Sequence, residues 1–229
     1  MKNVFRTLAL MLGIFLMTLF CAASMFLNTA TNGDMYYEIQ LEENVEPGVD
    51  NETMRELDML LARYLAGDAE ALDSTELFNA NEKAHMVDVF NIFAAVRLTK
   101  NWAFALSALI LVWAYYNRQK FTRGQVRLGV ISGAALFFVP LAIIAIWAAV
   151  DFDTAFVTMH RMLFSNELWL MDPRTDLMIR MLPERFFVSM GAKLAVRSML
   201  GAIAIPAVVL IGTFDWSKLE SKKDTPDNK

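Results

Sequence analysis

The chain has 229 residues, of which 56 % are hydrophobic and 20 % charged, with a formal net charge of −4. A soluble domain carries about a quarter charged residues and no uncharged run of membrane length, so this composition predicts an integral membrane protein. No basic surface suited to nucleic acid is present, and the single cysteine, Cys21, excludes an internal disulfide and a thiolate metal site.

Lys2 and Arg6 precede an apolar stretch from Leu8 to Leu27, which is expected to anchor as the first span (residues 1–30). A cleaved signal peptide is the alternative, but the run is long for one and Asn28, Thr29 and Ala30 make a poor cleavage site. Phe20 before Cys21 does not suit lipid attachment, so the thiol is read as a small hydrophobe.

Residues 31–100 form an acidic region with fifteen acids and five bases. Weak alternation from Gly33 to Val49 suggests a short strand or extended arm around Tyr36 and Tyr37. Pro47-Gly48 is a turn signal, and Asp50 or Asn51 is placed to cap a helix through Leu65. A second helix is expected around EKAHMVDVFNIFAAVRLTKN. It carries His85, Val89 and Ile92 on one stripe, with Asp88 one turn from His85.

The second span is read at residues 101–117, bounded by the interfacial aromatics Trp102, Trp113, Tyr115 and Tyr116, with the preceding helix running into it unbroken. A basic loop, 118–127, carries Arg118, Lys120, Arg123 and Arg127 and no acid. The third span, 128–150, includes twenty-two uncharged residues from Gly129 to Val150, interrupted only by Pro140; that is about 30 Å of helix. The insert 151–188 follows, then a fourth span at 189–214 containing Lys193 and Arg197, which are expected to snorkel or to pair with acids of the insert, then a polar tail at 215–229. The predicted class is therefore an all-α membrane protein, four transmembrane helices with helical inserts.

Orientation is read from bases in short flanks. Lys2 and Arg6, the 117–127 segment, and Lys218, Lys222 and Lys223 would be cytoplasmic, which sets both inserts outside the membrane, and with them the only two histidines, His85 and His160.

Those histidines are the leading candidates for chemistry, because imidazole exchanges a proton near neutral pH. His160 is expected on a helix from Phe156 to Phe164, beside Arg161. Asp172-Pro173 fits a cap followed by a helix to Pro183, with Asp176 and Arg180 able to pair four residues apart. Asp88, Asp172 or Asp176 would orient a ring, and the second histidine, a tyrosine such as Tyr36 or Tyr37, or an arginine such as Arg161 would steady an oxyanion. Trp169, Asp172, Arg174, Asp176 and Arg180 are the substrate-binding candidates. Zinc would need a carboxylate beside the two histidines, and no HExxH spacing exists. There is no GxSxG elbow or SxxK pair, and Ser165 lies in no strained turn.

With its four spans, His85 in EKAHMVDV and the block HRMLFSNELWLMDPRTDLMIRMLPERFF, the chain resembles the bacterial membrane-protein family that includes the lipoprotein intramolecular transacylases. In that resemblance His85 stands for the family's histidine before the second span and His160 for the one after the third. Asp172, Asp176, Pro183 and Glu184 fall on its Asp-Pro, Asp and Pro-Glu pattern. It implies an enzyme of the bacterial cytoplasmic membrane, its site facing outside. Such an enzyme moves the sn-2 acyl chain of a diacylglyceryl lipoprotein to the α-amine of its N-terminal cysteine, giving the lyso form. The expected partners are diacylglyceryl-modified lipoproteins and membrane phospholipids, with no cofactor and a monomeric chain. A membrane hydrolase and a non-enzymatic lipid- or partner-binding protein are the alternatives. Imidazoles on opposite sides of the bundle would favour the binding reading, and released fatty acid, with chelator sensitivity if a metal takes part, the hydrolase.

Overall fold

A computed structural model describes residues 2–212. The expected Lys218, Lys222, Lys223 flank, the tail and the end of the fourth span lie outside the described residues. Eight α-helices are described: α1 (Lys2–Ala30), α2 (Gly33–Glu42), α3 (Asn51–Ala66), α4 (Ala80–Tyr116), α5 (Arg123–Val150), α6 (Phe152–Leu163), α7 (Leu177–Met181) and α8 (Glu184–Gly212). Short 3₁₀ turns cover Ala71–Ser74 and Arg118–Lys120. Among the described residues there is no strand.

Four helices, α1, α4, α5 and α8, are long and apolar enough to cross a membrane. Helix α1 is the centre of the bundle and packs against the other three. Its sequence is apolar on every side, so it can be covered from several directions. Close approach of α5 rests on Gly129 and Gly133, one turn apart. A Cβ at Gly129 would stand 3.1 Å from the Leu10 side chain, and one at Gly133 would stand 2.5 Å from the Met11 carbonyl oxygen. This small-xxx-small pair lets two membrane helices meet backbone to backbone.

Because each long helix crosses once, both inserts lie at one end of the bundle. There they share a core. Ile39 of α2, Met54, Leu57 and Leu61 of α3 and Met181 of α7 are fully buried and join Phe93 of α4 and Phe186 and Met190 of α8 in one cluster. Each such aliphatic side chain contributes about 1.5–3 kcal/mol on leaving water. The cap is therefore a packed layer continuous with the mouths of the spans.

Polar ties lock the inserts together. Gln40 Nε2 donates to Asp58 Oδ1 at 3.0 Å and to the Met181 carbonyl at 3.1 Å. Glu82, at the start of α4, accepts from Met178 N at 2.6 Å and Asn79 N at 2.7 Å. Asn79 Nδ2 donates to Asp176 Oδ1 at 2.8 Å. Lys193 Nζ pairs with Glu42 at 2.8 Å, so its partner comes from the first insert rather than the second.

Several expectations are corrected. The segment around Tyr36 and Tyr37 is helical, because Asn32 caps it by accepting from Met35 N. Helix α5 begins at Arg123 through a Thr122–Gln125 capping box, so part of the basic loop is helix. Helix α6 starts at Phe152, capped by Asp151, four residues earlier than expected. The Asp172-Pro173 step opens a turn, not a helix: Thr175 N and Asp176 N both donate to the Asp172 carbonyl, and α7 starts at Leu177. No Asp176–Arg180 ion pair is found among the described residues; Arg180 Nε reaches only the Asp176 carbonyl, at 3.4 Å. Helices α3 and α4 agree with expectation, α3 capped by Asp50 and α4 unbroken from the cap into the membrane.

Candidate active site

Helix α4 brings His85 to the cap-facing end of the bundle, and α6, one residue beyond the end of α5, brings His160 to meet it. The imidazole centroids are 6.4 Å apart and the rings are nearly parallel, at 26°. Both side chains are buried, each residue only 8 % exposed. At that separation the rings do not hydrogen-bond each other, and a small group can meet both.

Aromatic rings enclose the pair. Phe164 lies 5.0 Å from His85 and 5.5 Å from His160; Phe156 is 4.0 Å and Trp169 5.0 Å from His160. Phe156 and Phe164 stand four residues before and after His160, so one face of α6 and its C-terminal exit supply three of these groups. Trp169 is fixed by an Nε1 hydrogen bond to the Asn166 carbonyl at 3.1 Å. Asn166 in turn donates through Nδ2 to Asp88 Oδ2 at 2.8 Å, which ties the loop after α6 to α4 one turn beyond His85. Asp88 thus braces the loop and places negative charge near the His85 ring.

The two imidazoles differ in their hydrogen bonding. Nδ1 of His160 lies 2.8 Å from the Phe156 carbonyl oxygen. A carbonyl only accepts, so Nδ1 carries the proton and the neutral ring keeps its lone pair on Nε2. Burial lowers the His160 pKa below the ordinary imidazole value, the Phe156 hydrogen bond opposing in part, so the neutral ring is favoured. His85 Nδ1 is buried with no hydrogen-bond partner, so nothing in its surroundings selects one tautomer there. A buried ring nitrogen left unpaired is costly in a purely structural residue and is commonly tolerated where a bound group completes it.

The other predicted site residues are more dispersed. The Tyr36 hydroxyl donates to the Ala30 carbonyl at the end of α1, and its ring packs on Phe186. Burial, with Asp58 nearby, raises its pKa, so the phenol keeps that proton. Tyr37 faces α3, with Arg55 5.9 Å from its ring, and no contact links it to the histidines among the described residues. Arg161 is exposed on α6. Asp172 and Arg174 pair with each other through contacts of 2.6 Å and 3.0 Å, and that guanidinium holds the Asp172 carboxyl below its usual range. Asp176 accepts from Asn79, from Thr175 at 2.9 Å and from Asp172 N at 2.8 Å. These acids organise the insert's turn, whereas Trp169 belongs to the aromatic enclosure.

Four contributors escaped the sequence reading. The four-residue spacing of Phe156 and Phe164 about His160 was a usable signal. Asn166 lies in a loop and had none. Glu82 was legible as a capping-box residue with Asn79, but its grip on Met178 N is a long-range contact. Among the described residues no three His, Cys, Asp or Glu side chains cluster as metal ligands do.

The family described as lipoprotein intramolecular transacylase Lit matches residues 7–187 of the chain. No curated protein matches. Among solved structures, the chain is similar to the in meso structure of the membrane integral lipoprotein intramolecular transacylase Lit from Bacillus cereus, with TM-score 0.75 and 18 % identity over 98 % of this chain and 99 % of that one. It is also similar to that protein carrying a histidine-to-arginine mutation, with TM-score 0.70 and 18 % identity over 97 % of this chain and 94 % of that one. A third similar structure carries a histidine-to-alanine mutation, with TM-score 0.70 and 18 % identity over 98 % and 96 % of the two chains. At this identity the likenesses establish a shared fold.

Proposed function

Because the chain belongs to the lipoprotein intramolecular transacylase family, whose match spans residues 7–187, we propose that it transfers an O-linked acyl chain of a diacylglyceryl lipoprotein to the α-amine of the same molecule's N-terminal cysteine. Family membership supports an intramolecular acyl-transfer role in lipoprotein maturation in a bacterial membrane. The observation that carries the finer reading is the pairing of the chain's two histidines in one aromatic enclosure, with the His160 tautomer held by Phe156.

The reaction needs a base, an oxyanion donor and exclusion of water. His160 is the base: its Nε2 lone pair takes a proton from the substrate's α-ammonium. The freed amine attacks the sn-2 ester carbonyl carbon, forming the N–C bond and pushing charge onto the carbonyl oxygen. A ring N–H of His85 donates to that oxyanion. The carbon–oxygen bond to glycerol then breaks, and the His160 imidazolium returns its proton to the glyceryl oxygen. The attacking nitrogen loses its second proton to water, so the ammonium releases one H+ overall, and the product is an N-acyl, S-monoacylglyceryl lipoprotein formed with no acyl carrier. Tethering of both groups on one molecule supplies effective concentration. The rings of Phe156, Phe164 and Trp169 limit water, which would otherwise compete with the amine.

In this reading the inserts face outward. Support comes from the opposite end of the bundle, where Arg118, Lys120, Arg123 and Arg127 gather as cytoplasmic flanks do. The test is incubation of the reconstituted protein with a diacylglyceryl lipopeptide, followed by mass analysis of the N-terminus. N-acylated lyso product is expected from the wild type, and none from His85→Ala or His160→Ala at equal protein levels. Release of free fatty acid as the main product, or normal product from either variant, would overturn the proposal.

A further inference from the structure

Helix α6 has two unlike sides. At about 100° per residue, Phe152, Ala155, Phe156, Met159, Met162 and Leu163 fall on one arc, while Asp153, Thr154, Thr158 and Arg161 fall on the other, with Val157 among them. The inner edge of the apolar arc is covered, because Phe156 packs on Phe187 of α8 at 5.4 Å. Its outer edge is bare: Met162 is 81 % exposed, Leu163 51 % and Met159 43 %. Three contiguous large apolar side chains on one side of a twelve-residue helix are costly in water.

The position of α6 indicates what covers them. It begins one residue after α5 ends, and the last turns of α5 expose Ile143, Ile146, Trp147 and Val150 as a lipid-facing ridge. Only Asp151 separates the end of that ridge from α6, so the bare edge of α6 follows it directly in the chain. The opposite arc carries Arg161 and Asp153, the pattern of a helix lying flat at the headgroup level. His160 stands on the border between the arcs.

From this continuity we propose that α6 is an interfacial helix, with Met159, Met162 and Leu163 seated among the acyl chains of the leaflet that the cap faces. The wall carrying His160 is then open to lipid along its outer edge, so acyl chains approach the buried ring from within the leaflet and not through water. The inference concerns placement and does not depend on the reaction proposed above.

The test uses the full chain with Cys21→Ala, and single cysteines introduced as Met162→Cys, Leu163→Cys and Arg161→Cys. Each is labelled with a small fluorophore and reconstituted in phosphatidylcholine–phosphatidylglycerol vesicles. Phosphatidylcholine brominated on its acyl chains is expected to quench the labels at 162 and 163 several-fold more than the label at 161, with aqueous iodide showing the reverse order. Iodide quenching of all three labels without an effect of bromolipid would overturn the proposal. So would protection of 162 and 163 from both quenchers, which would mark a second copy or a partner protein as the occupant. Because the readout is location, it stays informative whether or not the protein transfers acyl chains.

Discussion

The Nδ1–H of His160 is held by the Phe156 carbonyl oxygen at 2.8 Å, while the Phe156 ring lies 4.0 Å from the same imidazole. One residue thus sets both the tautomer and the packing of the proposed base, and the chemistry is left to Nε2. Asparagine at 160 can keep the Nδ1-like donor to that carbonyl but has no basic nitrogen. His160→Asn is therefore expected to retain thermal stability better than His160→Ala while losing N-acylation by about 10²-fold or more, the usual scale for a general base. Melting in detergent and mass-resolved product rates check the two halves separately.

Burial lowers the His160 pKa, so the ring stays neutral to lower pH than a free imidazole, whose pKa is about 6.5. The acid limb of kcat/KM is expected below that value. The sign for stability follows from proton binding. As pH falls through about 6.5, the unfolded chain takes up a proton that the folded site resists, so stability declines with acid across that window. His160→Asn should flatten that part of the pH–stability curve. An acid limb at or above the free-imidazole value would argue against His160 as the buried base.

Asp58 has the opposite sign. It is fully buried, its Oδ2 and the Gln40 Oε1 both lack partners, and burial pushes its carboxyl up to about 8, the Gln40 hydrogen bond opposing. The folded protein therefore binds a proton there that the unfolded chain has already released, and stability should fall as pH rises toward 8. Asp58→Asn supplies an amide that can accept from Gln40 Nε2 and donate to Gln40 Oε1. It is expected to raise stability by about 1 kcal/mol at pH 8 and to remove the alkaline decline. Thermal unfolding at pH 6 and pH 8 reads both effects.

Gly133 carries the close contact between α5 and α1, where a Cβ would stand 2.5 Å from the Met11 carbonyl oxygen. Backbone cannot rotate away as a side chain can. Gly133→Ala is therefore expected to destabilise by about 1–3 kcal/mol. Gly124 on the same helix has its nearest such neighbour, Thr122 Oγ1, at 3.9 Å, so Gly124→Ala should be neutral or gain up to about 1 kcal/mol. Parallel melting curves of the two variants compare them.

Much of this architecture was legible one residue at a time. Uncharged runs of membrane length, interfacial aromatics and the Asp50 cap are local signals, and the long helices and α3 followed them. The acidic cap was harder. Asn32 outweighed the weak alternation around Tyr36, and Asp172-Pro173 proved to be a turn because Asp176, Asn79 and Glu82 hold the following residues from elsewhere in the chain. Acids and arginines that looked available for substrate were occupied in that scaffold.

Hydropathy and helix length alone determined four crossings and put both histidines near the same end of the bundle, because lipid requires each spanning backbone to satisfy its own hydrogen bonds. Only the tertiary structure decided that the two rings meet at 6.4 Å, that Phe164 and Trp169 close around them, and that Tyr36 is committed to the Ala30 carbonyl. The physical reason is that a site is made of side-chain directions and contacts between segments far apart in the chain. Those follow from how the cap packs as a whole, and no local window of sequence contains them.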